Sequence, residues 1–137
     1  MTDREEICEL MSRYCWHVDH MEWDQWLDLF TLDASWAAGD FGPFVGREAM
    51  VKLTRSLDKL TRRELKRHYA ANEVVEVTGD TGRMRAYIMV VGAETQLVGT
   101  VGDYQITLAK VDGRWRIRTL EFTRISPMRA APAAHPA

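Results

Sequence analysis

The stretch "VGDYQITLAKVDGRWRI", residues 101–117, reads with a period of two. Tyr104, Ile106 and Leu108 fall on one face of an extended chain and Gln105 and Thr107 on the other, because successive strand side chains point to opposite sides. Asp112-Gly113 is the strongest short hairpin signal available, since a two-residue turn of this kind needs positive φ at both central positions. Strands are therefore expected at 100–111 and 114–125. Upstream, two more segments of the same period, 68–78 and 83–97, flank "TGDTG" (78–82), which reads as a loose hairpin.

Before residue 68 the period changes to that of a helix. Thr2 and Glu5 have the spacing of a capping box, and Ile7, Leu10, Met11, Tyr14, Cys15 and Val18 form an amphipathic stripe behind it. Asp19 ends that stripe within "VDHMEWD", and Trp23, Trp26, Leu27 and Phe30 begin a second helical pattern. "TLDASWAAGDFGPFVG" (31–46) reads as a short strand plus a loop. In "GREAMVKLTRSLDKL" (46–60), Ala49, Met50, Leu53, Leu57 and Leu60 share the face of a third helix. Helices first and then a run of antiparallel strands define an α+β fold, with the helices on one face of a curved sheet. The expected division is one domain, 1–126, and a Pro/Ala-rich tail, 127–137, irregular or draped over a neighbouring subunit.

A chain of 137 residues can bury a core without disulfides or metals. The net charge of -2 leaves no electrostatic footprint for nucleic acid, and the basic run "TRRELKR" (61–67) is interrupted by Glu64. Cys8 and Cys15 sit on one predicted helix with roughly 10 Å of axial rise between them, too far to bridge. A reduced, cytoplasmic setting is expected. The charged N-terminus lacks the apolar run of a signal peptide, and nothing is long and apolar enough for a membrane helix. No metal ligands, phosphate loop or activated nucleophile cluster at useful spacing, so no metal and no cofactor are expected.

Polar residues gather at strand ends on faces that are apolar elsewhere. "RHYAANEVVEV" (67–77) opens with His68; simple alternation puts Asn72 and Val74 on its face and Val75 and Val77 opposite. Glu94 shares parity with Met84, Ala86, Ile88 and Val90. Such a pattern describes a pocket with a few convergent polar groups, here a closed one with His68 and Asp19 at its floor.

"RYCWHVDHMEWDQWLDLFTLDASW" (13–36), "GREAM" (46–50), the pair His68 and Asn72, and "VGDYQITLAKVDGRWRI" together resemble the SnoaL-like branch of the nuclear transport factor 2-like superfamily. That resemblance, from about Glu6 to Ser126, implies a cone-shaped fold: three N-terminal helices packed in the concave face of a strongly curved, mainly antiparallel sheet enclosing a cavity. Functional positions are most similar to the dehydratase-type group of scytalone dehydratase, bile-acid 7α-dehydratase and hexachlorocyclohexane dehydrochlorinase. By that likeness "DHMEWD" (19–24) supplies Asp19 to orient a catalytic His68, with Tyr14 assisting. Arg124 in "FTRIS" matches a substrate-binding arginine, while Glu94 and Tyr104 stand near positions where that group carries histidine and asparagine. Tyr104, Asn72, Arg124, Trp36 and Glu94 complete the expected substrate-binding set. The steroid-isomerase branch places its aspartate near Ala37 or Ala38, so its base is absent, and Asp40 is a near miss.

The implied chemistry is cofactor-free β-elimination on a small, largely apolar cyclic substrate, by a homo-oligomer (dimer or trimer). A polyketide cyclase or ketosteroid-type isomerase would use the same parts, and a non-catalytic ligand-binding protein would use the cavity alone. Histidine exchanges protons near neutral pH, and a carboxylate on its far nitrogen fixes the tautomer. Plainer roles stand beside these. Asp19 has the spacing to cap the second helix, and His68 could be a rim residue bonded to a carbonyl. Tyr14, Trp23 and Trp26 lie on core stripes, Asn72 could be a turn residue, and Arg124 a surface ion pair. His17, His20 and His135 read as solvated. Tyr14 and Asp19 are separated by roughly 140° around an ideal helix, so both face one cavity only if the helix ends or loosens near Val18, or if the sheet wraps around it.

Overall fold

A computed structural model describes residues 1–126, so the tail and His135 lie outside the described residues. The chain begins with helix α1 (Asp3–Asp19), helix α2 (Trp23–Asp28), strand β1 (Phe30–Ala38) and strand β2 (Phe41–Val45). Helix α3 (Arg47–Arg63) then leads into β3 (Lys66–Thr78), β4 (Thr81–Gly92), β5 (Val98–Val111) and β6 (Arg114–Arg124). The strands form one sheet in the order β2-β1-β6-β5-β4-β3, antiparallel except for the parallel pair β1 and β6.

The expected capping box is formed in both directions. Thr2 Oγ1 accepts the Glu5 N–H at 3.1 Å, and Glu5 Oε2 accepts the Thr2 N–H at 3.0 Å. Behind it, Ile7, Leu10, Met11, Tyr14, Cys15 and Val18 are all buried on the concave face of the sheet. They pack with Trp26, Phe30, Met50 and Leu53 from the other helices and β1, and with Met84, Ile88, Ile106, Ile117 and Leu120 from the strands. Residues 31–46 form two paired strands rather than one strand and a loop, with Trp36 opposite Phe44. Among the described residues no helix is long and apolar enough to cross a membrane.

Both hairpins are tight. Asp112 and Gly113 take φ of 51° and 78°, as a primed turn requires. "TGDTG" closes on two residues, with Thr78 opposite Thr81 and Gly79 at φ 59°. The expected strand 83–97 stops at Gly92, where a Cβ would collide with the Glu64 carboxylate and the Thr95 hydroxyl. Residues 93–95 instead form a turn, closed by Gln96 N–H to Gly92 O at 3.0 Å.

The third departure decides which residues face inward. β3 carries a bulge between Ala71 and Val74, and Asn72 sits there at φ 60°. An extra residue in one strand flips the alternation beyond it. His68, Ala70, Glu73 and Val75 are thus more buried than Tyr69, Asn72 and Val74, which are exposed. Val75, expected opposite His68, follows the same alternation after the bulge. Asn72 is there because asparagine tolerates left-handed backbone better than a branched residue. Asn72→Val is expected to lower unfolding free energy by about 1–2 kcal/mol in urea titrations, and Asn72→Gly by less than about 0.5 kcal/mol.

Candidate active site

Helix α1 carries Asp19 in its final turn. That place is electrostatically poor for a carboxylate, because it sits at the negative end of the helix dipole and is shielded from water. His68, at the start of β3, supplies both donors that compensate. Its backbone N–H donates to Asp19 Oδ2 at 2.9 Å, and its ring Nδ1 lies 2.6 Å from Oδ1. An ionised carboxylate only accepts hydrogen bonds, so the proton on this contact belongs to Nδ1. In the neutral ring Nε2 then holds the lone pair, and it has no hydrogen-bond partner among the described residues. Side-chain exposure is 5% for Asp19 and 20% for His68, so the carboxylate lies deeper and the ring forms the accessible part.

The ring faces a cleft of about 410 Å³. One wall is Ser12, Cys15, Trp16 and Asp19, the i, i+3, i+4, i+7 set of α1, extended by His20. The other wall is four consecutive residues of β3, Arg67 to Ala70. Because β3 is the sheet's last strand, nothing among the described residues pairs beyond it and the cleft opens sideways. It is not the closed chamber expected from the strand pattern.

Beside the pair, burial first and the Asp19 charge second push the Cys15 thiol up to about 12. It is protonated at neutral pH and lines the cleft as a small apolar group rather than a nucleophile. His20 caps the end of α1, with Nδ1 2.8 Å from Trp16 O and its ring stacked on Trp16 at 4.6 Å. His17 instead meets Glu22 Oε1 at 3.1 Å. Asp19 does not cap α2: the N-cap is Glu22, and both Asp19 oxygens are engaged by His68.

Other expected site residues lie elsewhere. Tyr14, Trp36 and Tyr104 make an aromatic layer in the core and do not line the cleft. Trp36 Nε1 donates to the Tyr14 hydroxyl at 2.9 Å, and the Tyr14 and Tyr104 rings meet edge to face at 5.7 Å. Burial above all lifts both phenols well over the ordinary tyrosine value, and the neighbouring Tyr14 and the Asp19 charge raise Tyr104 further. α1 stays helical through Asp19, so the rotation between positions 14 and 19 persists and Tyr14 points to the core. Asn72 is on the exposed bulge. Glu94 is in the exposed turn after β4, since the strand ends before it. Arg124 ties backbone, donating to Gly99 O at 2.9 Å and Ser126 O at 3.2 Å. Ser12, Trp16, Arg67 and Tyr69 were not foreseen; the helical spacing from position 12 to Asp19 was the available signal for the first two. Among the described residues no cluster of three metal-ligating side chains occurs.

The chain belongs to the SnoaL-like domain family, which it matches over residues 1–121. No curated protein matches it in sequence. Among solved structures it is similar to a nuclear transport factor 2-like protein with a cystatin-like fold from Novosphingobium aromaticivorans, at 26% identity and TM-score 0.82, covering 90% of this chain and 82% of that one. A second protein of that organism, provisionally named scytalone dehydratase, gives 21% identity and TM-score 0.78 over 98% and 95% of the two chains. ActVI-ORFA of Streptomyces coelicolor gives 16% and 0.75 over 89% and 97%. These likenesses establish the cone fold with its curved, open sheet.

The Cys15 environment makes a prediction about alkaline stability. The unfolded thiol, near its reference value of 9.0, loses its proton before the folded one does at about 12. Rising pH therefore favours the unfolded chain, and this contribution is intact below pH 9 and lost progressively above it. Urea midpoints are expected to fall from about pH 9 upward, with Cys15→Ala flattening the first part of that decline, before tyrosines ionise.

Proposed function

We propose that this chain is a cofactor-independent acid–base enzyme, a lyase that dehydrates a small cyclic substrate by β-elimination. The observation that carries the reading is the 2.6 Å contact between His68 Nδ1 and Asp19, which leaves Nε2 as a proton acceptor facing the cleft. Nε2 takes a proton from a carbon next to the substrate carbonyl. The C–H electron pair becomes the new C=C bond as the β C–O bond breaks. Hydroxide leaves with the proton that Nε2 returns, so one water is released and the imidazole is regenerated. Asp19 stabilises the transient imidazolium through its buried charge. The aromatic layer of Tyr14, Trp36 and Tyr104 backs the pair and excludes water on that side. The provisional name of one structural neighbour points to the same reaction class.

A cyclase or isomerase would use the same couple, and product mass separates them, because only elimination loses water. A binding protein of this fold would be indifferent to the imidazole. His68→Gln and Asp19→Asn are each expected to lower kcat roughly 100- to 10,000-fold, read by mass-resolved turnover of a cyclic β-hydroxy ketone panel. Unchanged turnover in His68→Gln would remove His68 from the chemistry.

We also infer a homo-oligomer formed through the outer face of the sheet. Tyr87 and Met89 stand there 62% and 39% exposed, with Asp103 opposite Tyr87 on β5, Arg85 opposite Gln105, and Glu121 of β6 beyond Gln105. A two-fold copy would cover the apolar pair and set Arg85 against Asp103 or Glu121. Sedimentation should show an assembly larger than one chain, and Tyr87→Glu should dissociate it.

A further inference from the structure

The cleft is graded from a dry floor to a wet mouth, and the mouth has its own chemistry. Asp19 is 5% exposed and His68 20% at the floor, whereas Trp16 is 63% and Tyr69 54% exposed at the lips. Trp16 is held in place although it is so exposed. His20 stacks on it with only 20° between the ring planes, and the same imidazole is tied by Nδ1 to the Trp16 carbonyl. One indole face is thereby covered and the ring kept from turning. The wall opposite belongs to β3, where Tyr69 also borders the cleft.

Arg67 is the only arginine or lysine among the described residues that line the cleft. Its Nη1 donates to the neighbouring Lys66 carbonyl at 3.0 Å, and among the described residues its guanidinium makes no salt bridge. The one lining carboxylate, Asp19, has both oxygens committed to His68, so it does not compete for that fork. Side chains at 67 and 69 are on the opposite pleat from His68, yet all three border the cleft because β3 is an edge.

We propose that Arg67 selects the substrate by pairing with an acidic substituent on an aromatic ring system, which packs against the exposed indole of Trp16. The substrate class is thus a flat aromatic acid, with its carboxylate at the mouth and its reacting carbon toward His68. A planar guanidinium with free donors binds a carboxylate by two parallel hydrogen bonds, and the indole supplies the apolar contact. A volume of about 410 Å³ suits a ligand of two or three fused rings. This assignment rests on the cleft being the active site, but it concerns recognition and not the chemical step.

The test is binding of 2-naphthoate and of its neutral counterpart 2-naphthamide to the full chain, by calorimetry and by the indole N–H resonance of Trp16, assigned with Trp16→Phe. Wild type should bind naphthoate at least about tenfold more tightly than naphthamide and shift the Trp16 resonance. Arg67→Gln should abolish the preference while leaving naphthamide affinity and thermal midpoint unchanged, since Arg67 makes only a surface bond to backbone. His68→Gln should keep the naphthoate preference, so a failed elimination mechanism and a failed recognition site give different results. Equal affinity for the two probes, no binding of naphthoate, or a preference that survives in Arg67→Gln would each overturn the assignment.

Discussion

The carboxylate of Asp19, nearly sealed from water at the wrong end of a helix, is the constraint around which this end of the molecule is organised. Both the helix dipole and the loss of hydration disfavour a charge there. One residue answers both objections: His68 gives its backbone N–H to one oxygen and its ring to the other. Because one donor is backbone and the other side chain, the contact sets the position of β3 along α1 as well as the orientation of the imidazole. The helix is consequently held to the sheet's last strand, which no further strand among the described residues supports. Removing either side chain leaves the other unsatisfied, so the local stability of this end of the molecule is tied to the same two hydrogen bonds.

From that constraint the rest of the cleft follows. α1 must present position 19 toward β3, and so it also presents 12, 15 and 16, the residues stacked above it on the same face. The opposite face of the helix carries Tyr14 into the aromatic core with Trp36 and Tyr104. A single helix therefore separates two environments: a packed apolar interior and a side-opening cleft. Cys15 lies between them, and its thiol is kept protonated by burial and by the neighbouring carboxylate.

Local patterns in the sequence carried the elements well, and the reason is physical. Turns such as Asp112-Gly113 and the capping box of Thr2 and Glu5 involve residues within three positions of each other, so their chemistry is written side by side. The meeting of Asp19 and His68 was reached only through family likeness, because nothing local links residues so far apart in sequence. Alternation failed at Asn72, since a bulge adds one residue without changing the apolar content that announces a strand. The parallel pairing of β1 with β6 was equally silent, being a contact between opposite ends of the chain. Tyr14 is the instructive case: roughly 140° of helical rotation separates it from Asp19, and the helix did not loosen to bring the two together.

In the proposed reaction one histidine is both acceptor and donor, and the separation of the two environments bears on how it could be so. Behind the pair, the ring layer of Tyr14 and Tyr104 offers Asp19 little screening, so its field is felt most strongly by the group it touches. In front, the cleft leaves Nε2 within reach of a ligand and of water. A carboxylate screened on all sides would do little for an imidazolium, and a histidine enclosed on all sides could not exchange its proton. The edge position of β3 supplies the opening that the second condition needs, and the helix face packed on the core supplies the shielding that the first one needs. The asymmetry thus comes from where the fold ends its sheet, and needs no residue beyond the pair itself.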